Sequence, residues 1–326
     1  MPTICPVCQS STEVVRVITA ESAARHFVTP KVDSERFNRL VERIHLLWNL
    51  ESATIRQCDN CKFRFCDPLI GGDGEFYRAA YDRTGGYPRD KWDYTRTVQS
   101  LGWRRLHTVV EVGAGPGFFL EKISRQSADL IAFEYDDKSI KQLETMGARV
   151  YRGDFRGKEF RDIADAVFMF QVLEHMTDPI GAVQWAAAAL KGGGDLYITV
   201  PNSAATQFQE KSGSLLDMPP NHVTTWTVEA FKRVAERAGL EIQAIEIEPF
   251  SMRRHIKQDI VYSFLKRAQC DRTFEATVRA TRNRALMGFT AGILSPRRLH
   301  WWALALRHRH GKTIWAHFRK PGATKT

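Results

Sequence analysis

The sequence predicts an α/β fold built on a mostly parallel, seven-stranded sheet flanked by helices, and three observations carry that expectation. Between about residues 108 and 248, short β-branched apolar runs alternate with amphipathic stretches, the pattern of strands covered by helices. A glycine-rich turn, "EVGAGPG" at 111–117, joins one apolar run to a segment with helical spacing. The chain has 326 residues, 43% hydrophobic and 26% charged, enough to bury a large core.

Taken in order, the chain first shows two Cys-x2-Cys pairs, Cys5/Cys8 and Cys58/Cys61, with 49 residues between them. Each pair can form a knuckle that supplies two corners of a tetrahedron, so the four together predict a closed, structural zinc site. The distance between pairs is longer than in a common zinc ribbon. The loop must therefore hold structure of its own, and "SERFNRLVERIHLLWNL" has the spacing of a helix. Residues 1–75 are expected to form a small zinc-binding segment, and 76–107 a helical lid or linker. Cys66 and Cys270 remain as expected buried thiols.

Strands are expected at "TVVEV", "DLIAFEY", "ARVYRG", "DAVFMFQ", "GDLYITV", "LEIQAIEIE" and, last, "KTIWAHFRK", so that 108–251 and 311–320 make the core. "PIGAVQWAAAAL" reads as a helix with Pro179 in its first turn, stopped by "KGGGD". "TVEAFKRVAERAGL" reads as a helix capped by Thr227 and closed by Gly239. Residues 252–310 read as a basic helical insertion before the final strand. The net charge of +10 is concentrated there: residues 252–326 hold 17 Lys and Arg against 3 Asp and Glu, which leaves 1–251 net negative. A segment of this kind favours anionic company.

The glycine turn narrows the ligand. A dinucleotide fingerprint wants its third glycine at 118, where the chain has Phe118; the third glycine is Gly117 instead. The alternative spacing, E-x-G-x-G-x-G, brings the turn close to a nucleoside without a pyrophosphate, and a Cβ would block that approach. Glu111 interrupts a buried strand. An unpaired carboxylate there would be costly, so a cationic partner is expected.

In these blocks the chain resembles the class I S-adenosylmethionine-dependent methyltransferases, whose sheet is Rossmann-like, over roughly residues 108–248 in order. The resemblance implies S-adenosyl-L-methionine as cofactor. Glu111 would orient its ammonium group, Gly113, Gly115 and Gly117 would form the glycine loop, and Glu134 would take the ribose hydroxyls with Tyr135 beside the adenosine. Asp154 would lie near the adenine amino group with Phe155 against the ring, while Gln171 and Val172 of "FQVLEHMTDP" would line the cofactor floor. With its four cysteines, "CKFRFCDPL" and a tyrosine-rich stretch, the chain is further similar to a group that includes sugar C-methyltransferases acting on nucleotide-linked deoxysugars. In that group the N-terminal part closes over the substrate, which makes Tyr77, Tyr81, Tyr87 and Tyr94 candidates to face the site.

Transfer from a sulfonium leaves the protein two tasks, to align the nucleophile and to accept its proton. His222, in the Pro-rich loop "PPNHVTTWT", is the candidate catalytic base. His175 in "VLEHMTDP" reads as part of the fold. The same motif resembles that of ubiquinone-pathway O-methyltransferases, in which two acids and this histidine can hold a divalent cation; here Gln171 replaces the first acid, and an amide is a poorer ligand.

The function expected is therefore methyl transfer to a small-molecule acceptor: a sugar, a glycan precursor or a related metabolite, with an anionic acceptor left open. Two alternatives stand beside it. One is a nucleic-acid-associated zinc protein or RNA methyltransferase, supported by the basic "RRLHWWALALRHRH" but lacking aromatic RNA-binding signatures. The other is a methyltransferase acting on a lipid-linked acceptor, with 252–310 in peripheral contact with a membrane. A homodimer is left open. The first residues lack the pattern of a signal peptide and no stretch of about 18 apolar residues occurs, so a cytoplasmic protein is expected.

Overall fold

The computed structural model describes residues 3–80, 88–212, 218–256 and 296–322. The first of these segments runs β1 (Thr12–Thr19), α1 (Ala20–Ala24), α2 (Ser34–Trp48), β2 (Ser52–Cys58), β3 (Arg64–Asp67) and α3 (Gly74–Ala80). The helix expected between the cysteine pairs is α2. Asp33 caps it by accepting from the Arg36 amide at 2.9 Å, and Asn49, left-handed at φ 51°, ends it. Phe37, Leu40, Ile44 and Trp48 recur at helical spacing and are all buried, each contributing roughly 1.5–3 kcal/mol. They pack on a four-stranded antiparallel sheet, which the sequence reading did not anticipate.

The core continues through α4 (Trp92–Leu101), β4 (Leu106–Val112), α5 (Phe118–Ile123), β5 (Ser127–Glu134), α6 (Asp137–Thr145), β6 (Arg149–Arg152), β7 (Ala164–Phe170), α7 (Pro179–Ala189), β8 (Leu190–Pro201) and α8 (Ser203–Ser212). It closes with β9 (Thr224–Thr225), α9 (Val228–Ala238), β10 (Glu241–Ile247), α10 (Pro296–His308) and β11 (Thr313–Arg319). All seven expected core strands are present, in the order β10-β11-β8-β7-β4-β5-β6. β11 alone runs antiparallel, inserted between β8 and β10. The expected caps also form: Pro179 opens α7, Thr227 accepts from the Ala230 amide at 3.0 Å, and Gly239 closes α9 in the left-handed region.

β8 begins at Leu190, four residues before the expected "GDLYITV". The glycines do not merely stop α7. A side chain at Gly194 would meet the Ala164 carbonyl at 3.1 Å, so the glycine run lets β8 pass close to β7, where the pairing is shifted between Ala164 and Ala166.

Because β5 and β6 lie to one side of β4 and β7 and β8 to the other, the strand order reverses between β4 and β7. In an open sheet, that reversal leaves a crevice at the carboxyl ends of the strands. Glu111, Glu134 and Gln171 all stand at those ends. The small sheet joins this crevice through β9, which pairs with β3 although it comes from the loop after α8. Of the expected basic insertion, 252–256 is helical and α10 follows; residues 257–295, Cys270, Tyr81 and Tyr87 lie outside the described residues. Among the described residues, no helix is long and apolar enough to cross a membrane.

Candidate active site

The glycine turn hangs on β5: the amides of Gly113 and Ala114 both donate to the Phe133 carbonyl, at 2.9 and 3.2 Å. Gly113, Gly115 and Gly117 all have positive φ. A Cβ on Gly113 would land 2.4 Å from Cγ1 of Val172, so a side chain here would push apart the β4 and β7 loops. Glu134 anchors the turn from the other side, its carboxylate accepting from the Gly115 amide at 2.6 Å and the Tyr135 amide at 2.7 Å.

Glu111 sits beneath the turn at 1% exposure, and among the described residues its Oε2 has no hydrogen-bond partner. Burial holds its carboxyl well above the usual range, against the favourable charge of Lys91 and with further upward pressure from Glu134 and Asp93. Asp93, from the first turn of α4, is also buried and also raised, chiefly by loss of solvent. Its Oδ2 accepts from the Thr199 hydroxyl at 3.0 Å, and the Gln171 amide donates to the same hydroxyl at 3.2 Å. The sequence reading missed Asp93. An acid in the first turn of a helix is ordinarily a solvated cap, and only the fold turns this one inward. The crevice is thus an acidic one, suited to a cation.

The remaining residues of the expected cofactor set flank it. Tyr135 is 66% exposed at the rim, and Val172 covers Gly113. Gln171 takes φ 57°, a left-handed conformation that aims its side chain at Thr199. Asp154 is held by Arg156, which pairs with it at 2.6 Å and keeps its carboxyl below the usual range. Phe155 is buried against Trp185 and Phe133.

His222 belongs to a loop strung between the two sheets. The Val223 amide donates to the Glu174 carbonyl and the Cys66 amide to the Val223 carbonyl, both at 2.9 Å. The His222 ring meets the His175 ring edge to face, with centroids 4.6 Å apart. His175 Nδ1 lies 2.7 Å from the Asn221 carbonyl and 3.2 Å from the Tyr77 hydroxyl. Burial, with the nearby charge of His222 adding to it, pulls His175 down to about 3 and keeps it neutral. Of the candidate tyrosines, Tyr77 reaches His175, whereas Tyr94 packs in the core against Phe170 and Phe119. Gln171 is engaged with Thr199 and is not part of the set, yet Glu174, His175 and His222 bring their ligand atoms within 4.8 Å of one another, a set able to hold a divalent ion.

The four cysteines of the two pairs converge as their spacing predicts, all sulfurs lying within 4.8 Å of one another. Cys5 and Cys61 are 3.8 Å apart and Cys8 and Cys58 3.3 Å, near the ~3.8 Å edge of a tetrahedron with 2.3 Å metal–sulfur bonds. The hydrogen bond shared with Cys61 lowers Cys5 to about 5, against the opposing effect of burial. The cluster is tied to the core, since Thr227, the cap of α9, donates to the Cys61 carbonyl at 2.7 Å. Cys66 stands apart, buried and pushed up to about 12 by loss of solvent.

A family model described as a methyltransferase domain matches residues 63–245. A ubiquinone biosynthesis O-methyltransferase of Xanthomonas campestris is 25% identical over 176 residues, 48% of this chain and 73% of that protein. The enzyme of the same name from Xylella fastidiosa is 30% identical over 124 residues, 36% of this chain and 49% of its own length. Among solved structures, an S-adenosylmethionine-dependent methyltransferase from Archaeoglobus fulgidus aligns with a TM-score of 0.44 at 14% identity, covering 70% of this chain and 92% of that one.

Proposed function

This chain belongs to the methyltransferase-domain family and is an S-adenosylmethionine-dependent methyltransferase; from that premise, we propose that it methylates a small-molecule acceptor, such as a sugar, a glycan precursor or a related metabolite, with His222 as the base. The observation that carries the reading is the unanswered Oε2 of buried Glu111 under the glycine turn. An ammonium group there would offset the cost of burying that carboxylate. The fit is good: Glu111 would hold the ammonium group, Glu134 and Tyr135 the ribose side, and Asp154, Phe155, Gln171 and Val172 the base and floor, with Gly113, Gly115 and Gly117 allowing close approach.

Bound at this site, S-adenosyl-L-methionine supplies an activated methyl group. The protein's own residues then align the acceptor and remove a proton. His222 is suited to that task because neutral His175, braced by Asn221, fixes the ring beside it. The cysteine cluster is suited to a structural zinc ion that holds the small sheet, and so the His222 loop, in place. The test is a mass-spectrometric search for a methylated product in metabolite extracts incubated with the enzyme and S-adenosylmethionine. The product should appear with the native protein and fall at least ~100-fold with His222→Ala, in line with the loss of a general base, while S-adenosylhomocysteine binding persists. An unchanged rate removes His222 from the mechanism.

A second reading rests on the convergence of Glu174, His175 and His222. If these hold a divalent ion, His222 is a ligand and the ion orients the acceptor oxygen. Metal analysis separates the two readings: a second equivalent of metal beyond that on the cysteines, lost in His222→Ala, favours the ion.

A further inference from the structure

A cleft of about 140 Å³ opens on the side of His222 that faces the small sheet, bounded by Arg16 of β1, Arg64 of β3 and Glu210 of α8. Among the described residues, its two guanidinium groups are answered only by the Met218 thioether, by a long ion pair to Glu210 and by Gln57, whose own amide nitrogen donates to Glu13. Arg16 donates to the thioether of Met218 at 3.2 Å, a weak acceptor, and stands 3.8 Å from Glu210. Arg64 donates through Nε to the neutral amide of Gln57 at 2.7 Å. Among the described residues, no carboxylate comes within ion-pair distance of Arg64, although the charges of Glu210 and Glu13 reach it from further off. Burial and the like charge of Arg16 both weaken its hold on its proton, against those two acids. Two arginines are therefore held near one another, with one carboxylate at the edge of contact, beside the candidate base.

Arginine is the residue suited to bidentate recognition of an oxyanion, and a half-buried guanidinium with neutral partners gains most from one. The sequence places no charge signal here. Arg16 and Arg64 lie 48 residues apart, and only the antiparallel pairing of β1, β2 and β3 brings them to one face.

We propose that Arg16 and Arg64 form a handle for a dianionic group, phosphoryl or dicarboxylate, carried by the small-molecule acceptor, and that this handle sets the acceptor's position relative to His222. It rests on the reading of His222 as the residue nearest the reacting acceptor atom. It also gives the small sheet a direct part in substrate selection.

Calorimetry of the full-length protein with inorganic phosphate, pyrophosphate, malonate and acetate tests it, with S-adenosylhomocysteine titrated into each sample as a separate readout. A dianion should bind and acetate should bind at least ~10-fold more weakly. The stronger of the phosphoryl and dicarboxylate probes identifies the group. Arg64→Met and Arg16→Met should each weaken that binding at least ~10-fold and leave S-adenosylhomocysteine affinity unchanged. Glu210→Gln should strengthen it, and Arg39→Met, on the exposed face of α2, should not alter it. Arg16 lies on an exposed strand, so its variant keeps the test open should Arg64→Met fail to fold. Absence of dianion binding, equal binding of acetate, or equal loss in Arg39→Met overturns the handle. Failure to bind S-adenosylhomocysteine would instead strike at the cofactor reading, leaving the anion result to stand on its own.

Discussion

Two buried carboxylates on strands of the same sheet are treated in opposite ways. Asp195, on β8, is fully buried and fully answered: Oδ1 accepts from His317 Nε2 and Arg319 Nε, both at 2.9 Å, and Oδ2 from Arg104. Burial alone would raise it, but these three donors hold it down to about 2. Glu111, on β4, is equally buried, keeps an oxygen without a partner among the described residues and has its carboxyl pushed up. Among the described residues, the chain satisfies one carboxylate fully and leaves an oxygen of the other without a partner, which is the opening the proposed cofactor would fill. A buried acid is therefore not itself a sign of function; its unmet hydrogen-bonding capacity is.

The largest effect expected on that contrast is at Asp195. Asp195→Asn should cost about 3–5 kcal/mol of stability, because Arg104 and Arg319 lose the charge they share and a buried network is broken. Urea denaturation should show the loss, while S-adenosylhomocysteine affinity stays within about twofold. Next comes Glu111→Gln. The unfolding free energy should be unchanged or raised, since among the described residues no ion pair is lost and the burial cost outweighs the charge of Lys91, but affinity for S-adenosylhomocysteine should fall about 10- to 100-fold, the scale of one charged hydrogen bond. If Glu111→Gln unfolds the protein as readily as Asp195→Asn, the two acids play the same role and the distinction is gone.

Much of this was legible in the sequence. The alternation of strand and helix, the helix signals at Pro179, Thr227 and Gly239, and the glycine turn are local signals, and each specifies its own backbone. Glu111 stood out because a charge in a run of buried apolar residues violates the local pattern. The small sheet was less visible. In β1, five successive exposed residues, Glu13 to Val17, hide the alternation that marks a half-buried strand. β9 is two residues long and owes its existence to β3, which lies some 160 residues earlier. The grouping of Glu174, His175 and His222, and the inward turn of Asp93, likewise depend on long-range packing. No spacing rule could supply them.

The smallest effect is the most direct reading of Glu111. A carboxyl held above its ordinary value binds its proton more readily in the folded chain than in the unfolded one, so it favours folding at acid pH and that contribution is lost as pH rises through its raised value. A cationic ligand has the opposite preference, because an ammonium group beside Glu111 stabilises the carboxylate and lowers its pKa. Below the raised value, binding must therefore expel a proton, and affinity must fall as pH falls. Calorimetric titration of S-adenosylhomocysteine in buffers of differing ionisation heat should show a fraction of a proton released per ligand bound, increasing from neutral toward mildly acid pH. In Glu111→Gln that release should vanish, whereas in Asp195→Asn it should remain, since Asp195 already keeps its charge with partners of its own. Equal proton release by the native protein and the Glu111→Gln variant would mean that the ligand's cation meets some other group.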